Sequence, residues 1–141
     1  MESTELYKIV EHVSDASVTA TGKTLEEAFA NTASGMFFLM ADLTAVDEKE
    51  VVEIKLKGTN LEEVFYSFLD DFLYRFEVQG FLPKRIEVKK CTKRMVEAVA
   101  YGEEKDKSHH IKREIKSVTY HRLKVEQGPD GLWKTQVTFD V

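Results

Sequence analysis

Hydrophobic positions along this chain follow two periods, and each change of period marks an element. Between Tyr7 and Thr21 apolar and polar residues alternate, with Val18 and Ala20 on one side and Thr19 and Thr21 on the other. A period of two predicts two short strands, joined here by the bend "HVSDAS". Past Gly22 and Lys23 the period lengthens. Thr24 and Glu27 form a capping box, in which side chains satisfy the free N–H groups of a helix start. Leu25, Phe29, Met36, Phe37 and Met40 then recur at spacings of three, four and seven, which predicts one buried helical face. Alternation returns at Val52, Ile54 and Leu56, opposite Glu53, Lys55 and Lys57, and predicts a strand running up to Gly58.

The second helix is the clearest signal. Asn60 and Glu63 cap it, and Leu61, Val64, Phe65, Phe68, Leu69 and Phe72 begin a stripe that continues through Leu73 to Phe76. Gly80 supplies the left-handed stop. The aromatic stripe reads as core and not as a cofactor box, because each buried ring is worth about 1.5–3 kcal/mol that a fold of this size needs. Only strand patterns follow, over residues 82–90, 94–101, 118–126 and 132–141, with the turn "GPDG" joining the last two into a hairpin. In the final strand Trp133, Val137, Phe139 and Val141 share one face and Lys134, Gln136, Thr138 and Asp140 the other, so Asp140 points away from the core. This order predicts an α+β fold, a largely antiparallel sheet with two main helices packed on it.

Composition narrows the picture. With 141 residues, 43% of them hydrophobic, the chain reads as one domain over 1–141, with no low-complexity linker and no solenoid repeat. A net charge of -5 argues against a free-standing binder that neutralises many phosphates, so RNA is expected only through a partner. The single cysteine, Cys91, excludes an internal disulfide framework and suits a reducing cytosol. The start "MESTELYKIVEH" has no basic segment leading into an apolar run, and no stretch is long enough to span a bilayer. The expectation is a cytoplasmic protein without membrane contact.

Candidate chemistry is sparse. The sequence holds no P-loop, GxGxxG, HExxH or GxSxG, and no nucleophile is placed beside a base. His12 and Asp15 lie in the N-terminal bend, Asp140 one position from the last residue, His109 and His110 in a charged loop, and His121 in a strand pattern. Asp15 alone reads as a turn residue and Asp140 alone as a solvated strand end. Taken together with the terminal carboxylate they are hard oxygen donors of the kind that suit Ca²⁺ or Mg²⁺, provided that the bend and the last strand meet at one sheet edge. His109 and His110, flanked by Lys105, Lys107, Lys112 and Arg113, read as a solvated loop, and His121 as half-buried. Cys91 beside Lys89, Lys90 and Lys93 reads as a thiol at a strand end without a role. The clusters "KRIEVKKCTKR" and "IKREIK" read as polar faces of strands able to dock an acidic surface.

Several segments in order along nearly the whole chain resemble the archease family: "YKIVEHVSD" and "GKTLEEAF", "GTNLEEVFYSFLDDFLY", "AYGE", "EIKSVTYHRLKVE" and the closing "FDV". Val13 and Ser14 depart from the Thr and Ala more usual between the His and the Asp, and leave Asp15 in register. The resemblance implies a non-enzymatic activator of an RtcB-type tRNA-splicing RNA ligase, one that promotes guanylylation of the ligase and multiple turnover. It also implies a Ca²⁺ site formed by Asp15, Asp140 and Val141, the last through a terminal carboxylate or carbonyl oxygen, with His12 beside it. Two other classes fit the residues: a small metal-dependent hydrolase using His12 as general base, and a general chaperone for RNA-processing enzymes that needs no metal.

Overall fold

The computed structural model describes residues 2, 3 and 6–141. Its elements run β1 (Glu2–Ser3), β2 (Tyr7–Glu11), β3 (Asp15–Gly22), α1 (Leu25–Met40), β4 (Glu50–Lys57), α2 (Leu61–Gln79), β5 (Phe81–Cys91), β6 (Met95–Glu104), β7 (Ser117–Gln127) and β8 (Trp133–Asp140). Local chemistry sets the helix ends. The Thr24 hydroxyl accepts from the Glu27 amide and the Asn60 side chain from the Glu63 amide, so each helix start has one orphan donor satisfied. Gly80 closes α2 at φ 69°, a left-handed conformation in which a Cβ would be strained, and its N–H returns to the carbonyls of Arg75 and Phe76.

The strands form two antiparallel sheets, not one. The larger has the order β1-β2-β3-β8-β7 and the smaller the order β4-β6-β5. Both helices touch both sheets: α1 lies against β2, β3 and β8 on one side and β5 on the other, and α2 against β7 on one side and β4, β5 and β6 on the other. The core is therefore a layer of helix between two sheets. Its centre is aromatic, with Phe29 of α1 against Phe65 and Phe68 of α2, and Phe37 against Phe72, at ring separations of 5.0–5.7 Å. The stripe expected on α2 is fully buried from Val64 to Leu73. Pro83 sits in β5 without breaking it, because β5 is an edge strand and its register shifts there. Gly102 of β6 allows the close approach of that edge, since a Cβ at Gly102 would overlap the Leu82 carbonyl oxygen.

Two details position the candidate site. First, β3 and β8, nearly the two ends of the chain, are neighbours in the middle of the larger sheet. Second, "IKREIK" is not a strand face. Apart from an isolated bridge between Ala41 and Ile111, residues 111–116 run outside regular structure before β7 begins. Among the described residues no helix is long and apolar enough to cross a membrane.

Candidate functional site

The alternation of β3 and β8 decides which side chains leave the core. Ala16, Val18 and Ala20 of β3 and Val137 and Phe139 of β8 are buried, so Asp15, Ser17, Gln136 and Asp140 face outward. In the antiparallel register Asp15 stands directly opposite Asp140, and Ser17 opposite Thr138. Directly opposed positions bring their Cβ atoms to about 4.5–5.5 Å. The proximity that sequence spacing left open is thus a matter of register, and both carboxylates stand at one end of two central strands of the larger sheet.

The surrounding bonds hold this end together. The Val141 amide donates to the Ser14 carbonyl at 3.3 Å, and the His12 amide to the Asp15 carbonyl at 2.8 Å. On the far side of β8 the Lys116 amide donates to the Asp140 carbonyl at 2.7 Å, and the Ser117 hydroxyl donates to Asp140 Oδ2 at 3.2 Å. The irregular segment before β7 also reaches the bend itself. Arg113 donates from Nη2 to the carbonyls of His12 and Val13 at 2.8 and 3.1 Å, and pairs through Nη1 with Glu11 at 3.0 Å. One guanidinium therefore ties down three consecutive residues of the bend that presents Asp15. Sequence reasoning missed Arg113 because the contact spans about a hundred residues, and the only sequence signal was a cation in a basic run.

Hard oxygen donors suit Ca²⁺ or Mg²⁺, and this pair has lone pairs to offer. Among the described residues the Asp15 carboxylate has no hydrogen-bond partner and that of Asp140 accepts only from Ser117. The side chain of His12 is exposed beside Asp15 and makes no bond to it.

Next to Asp15 a shallow cleft of about 190 Å³ opens on the outer face of the sheet. His12, Asp15 and Ser17 line one side, and His121, Arg122 and Gln136 the other, over Thr138. A bulge in β7 makes the second wall. Register jumps from Thr119 opposite Thr138 to Lys124 opposite Gln136, which leaves residues 120–123 to arch over β8. Arg122 takes φ 56°, a left-handed conformation that no other described non-glycine residue adopts and that costs about 1–2 kcal/mol. Gln136 Nε2 donates to the Arg122 carbonyl at 3.2 Å, and the His121 amide to the Thr119 hydroxyl at 3.2 Å. His121 is consequently exposed, not half-buried as strand alternation predicts, because the bulge interrupts the alternation.

A second cluster lies elsewhere. Ligand atoms of Glu103, Asp106 and His109 fall within 4.8 Å of one another. Contrary to the solvated loop expected, His109 is 8% exposed, while His110 is exposed. The His109 Nδ1 accepts from the Asp106 amide at 2.8 Å, so the neutral ring carries its proton on Nε2, 3.4 Å from Glu103 Oε1 and outside hydrogen-bond geometry. A cation would need the lone pair that this proton occupies. Glu103 also accepts from the Asp47 amide, and Ser108 donates twice to Asp106, which lowers the Asp106 carboxyl below its ordinary pKa. The cluster closes on itself as a clamp on the loop after β6. Cys91 is inert for a different reason. Burial, and then the Glu26 carboxylate, raise its thiol to about 12, so the neighbouring lysines do not activate it.

Comparison with known proteins bears on the whole chain. Residues 7–141 match the archease protein family. An archease of Pyrococcus furiosus is 36% identical over 135 residues, which cover 93% of this chain and 95% of that one. The solution structure of protein 1598 of Methanobacterium thermoautotrophicum superposes with a TM-score of 0.85 at 28% identity, covering 98% of this chain and all of that one. The crystal structure of an archease from Thermotoga maritima, described as a possible chaperone, superposes at 0.65 with 22% identity, over all of this chain and 98% of that one, and shares the fold.

Proposed function

Because this chain belongs to the archease family, we propose that it is a non-enzymatic activator of an RtcB-type RNA ligase, promoting guanylylation of the ligase and its multiple turnover in tRNA splicing. The observation that carries the reading is the direct opposition of Asp15 and Asp140 across β3 and β8. Two outward carboxylates with unused lone pairs at the end of two paired strands are hard donors for a divalent cation, with Ca²⁺ the leading candidate, and Val141 adds a main-chain oxygen at the same end.

The residues divide the work. Arg113 fixes the bend that carries Asp15, Lys116 and Ser117 fix Asp140, and Val141 is tied back to Ser14. Guanylylation requires a triphosphate, a divalent cation and a neutral nucleophilic histidine to be aligned, a step governed by positioning and charge neutralisation. An activator need supply no nucleophile. It stabilises the guanylylation-competent state of the ligase by binding that state more tightly than the resting one.

The test is ligation of an RNA bearing a 2′,3′-cyclic phosphate under multiple turnover, by a cognate RtcB-type ligase with GTP, with and without this chain. Stimulation by the wild type and not by Asp15→Asn or Asp140→Asn is expected. Stimulation that survives both substitutions would remove the carboxylates from the mechanism and favour the chaperone reading, which the description of the Thermotoga maritima protein suggests. Turnover of phosphoesters by the pure chain alone would favour the hydrolase.

A further inference from the structure

We propose that the cleft beside Asp15 is a polyphosphate subsite, in which Arg122 and the two histidines engage the oxygens of a phosphate chain whose nucleoside is held elsewhere. The inference rests on the proposed function for the divalent cation at Asp15 and Asp140, and not for the ligase.

Three observations lead to it. Arg122 lines the cleft from a strained backbone position. It occupies the left-handed conformation in the β7 bulge, and Gln136 pins its carbonyl. A backbone outlier held by specific bonds points toward a function for the position. Its guanidinium nevertheless has no hydrogen-bond or ion-pair partner among the described residues, as is also true of Arg94, whereas Arg75, Arg85 and Arg113 are paired with Asp71, Glu48 and Glu11. The imidazoles of His12 and His121 are likewise without partners among the described residues. Three residues whose side chains can donate N–H bonds, one of them permanently charged, thus line one small cleft with Ser17 and Thr138, and a guanidinium fork matches phosphate geometry.

The size and lining of the cleft set the ligand class. At about 190 Å³ it is smaller than the roughly 300 Å³ at which sites for drug-sized ligands begin, so it encloses a group smaller than a whole nucleotide. No Phe, Tyr or Trp ring lines it. Asp15 on its rim repels an anion unless its charge is neutralised, so occupation of the carboxylate pair by a divalent cation is a condition for phosphate binding. A phosphate chain spanning that cation and the Arg122 wall satisfies both groups at once.

The experiment is calorimetric titration of the full chain with inorganic triphosphate, with and without Mg²⁺, alongside direct measurement of divalent-cation binding. Arg122→Gly is the informative variant. Glycine suits φ 56°, so the variant should melt no lower than wild type, while triphosphate binding weakens at least tenfold and cation binding is unchanged. Guanosine should not compete. Wild type that binds the cation but not triphosphate, or Arg122→Gly that binds triphosphate like wild type, would overturn the subsite and leave the activator reading intact. Failure to stimulate a ligase, with triphosphate binding present and lost in Arg122→Gly, would overturn the activator reading and leave the subsite standing. A chain that binds neither cation nor triphosphate overturns the subsite together with the metal reading.

Discussion

Neutralising Asp15 should move stability in opposite directions depending on whether a divalent cation is present. Asp15→Asn is the cleaner perturbation of the pair, because its carboxylate has no hydrogen-bond partner among the described residues whereas Asp140 accepts from Ser117. At the spacing of about 5 Å that opposed strand positions give their Cβ atoms, two unit charges repel by about 0.8 kcal/mol at the dielectric constant of water and about 3 kcal/mol at an effective value of 20. Both face solvent, and Arg122 on the same cleft offsets part of the repulsion, so the net cost falls below about 1 kcal/mol. In the presence of a chelator, Asn at this position should therefore raise Tm by zero to about 4 °C. With a cation at a hundred times its Kd the wild type gains about 2.7 kcal/mol, about 10 °C for a domain of this size, and the variant gains little or nothing. The order of the two melting curves should cross between EDTA and millimolar Ca²⁺. Differential scanning calorimetry in both conditions decides it. Equal cation-induced shifts in wild type and variant, or no shift in the wild type, would refute the assignment of Asp15 as a ligand.

Two other outcomes are expected from contacts outside the carboxylate pair. Arg113→Ala should leave both carboxylates in place yet free the bend, costing about 1–3 kcal/mol of stability through the lost charge-assisted bonds and weakening cation binding severalfold. Faster amide exchange at His12 and Ala16 would confirm it, and unchanged exchange would argue that the bend holds itself. Cys91 has its thiol raised from 9.0 to about 12, so the unfolded chain ionises first. The sign then requires its contribution to stability to be intact below pH 9 and lost as pH rises through 12. Native protein at about pH 8 should react with a disulfide reagent far more slowly than protein in urea, and equal rates would contradict the burial.

The sequence by itself determined the elements, because their signals are local. The N-caps at Thr24 and Asn60, the αL stop at Gly80 and the stripe from Val64 to Leu73 each depend on residues within a few turns, and each stands where the pattern predicts. The outward direction of Asp140 is equally local, since alternation in β8 fixes it once Phe139 is buried. The tertiary structure alone decided what those elements do together. One antiparallel sheet became two, and the pairing of β3 with β8 that sets Asp15 against Asp140 joins nearly the two ends of the chain. No periodicity encodes such a partner, because a strand's alternation says which face is buried and not which strand lies beside it. The same limit hid the remaining features. Arg113 reads as one cation in a basic run until the fold brings the bend to it, and His109 as a solvated loop residue until Glu103 and Asp106 close around it. The β7 bulge replaces a regular strand at Arg122, where a hydrogen bond from Gln136, remote in sequence, holds a backbone conformation that the local sequence does not favour.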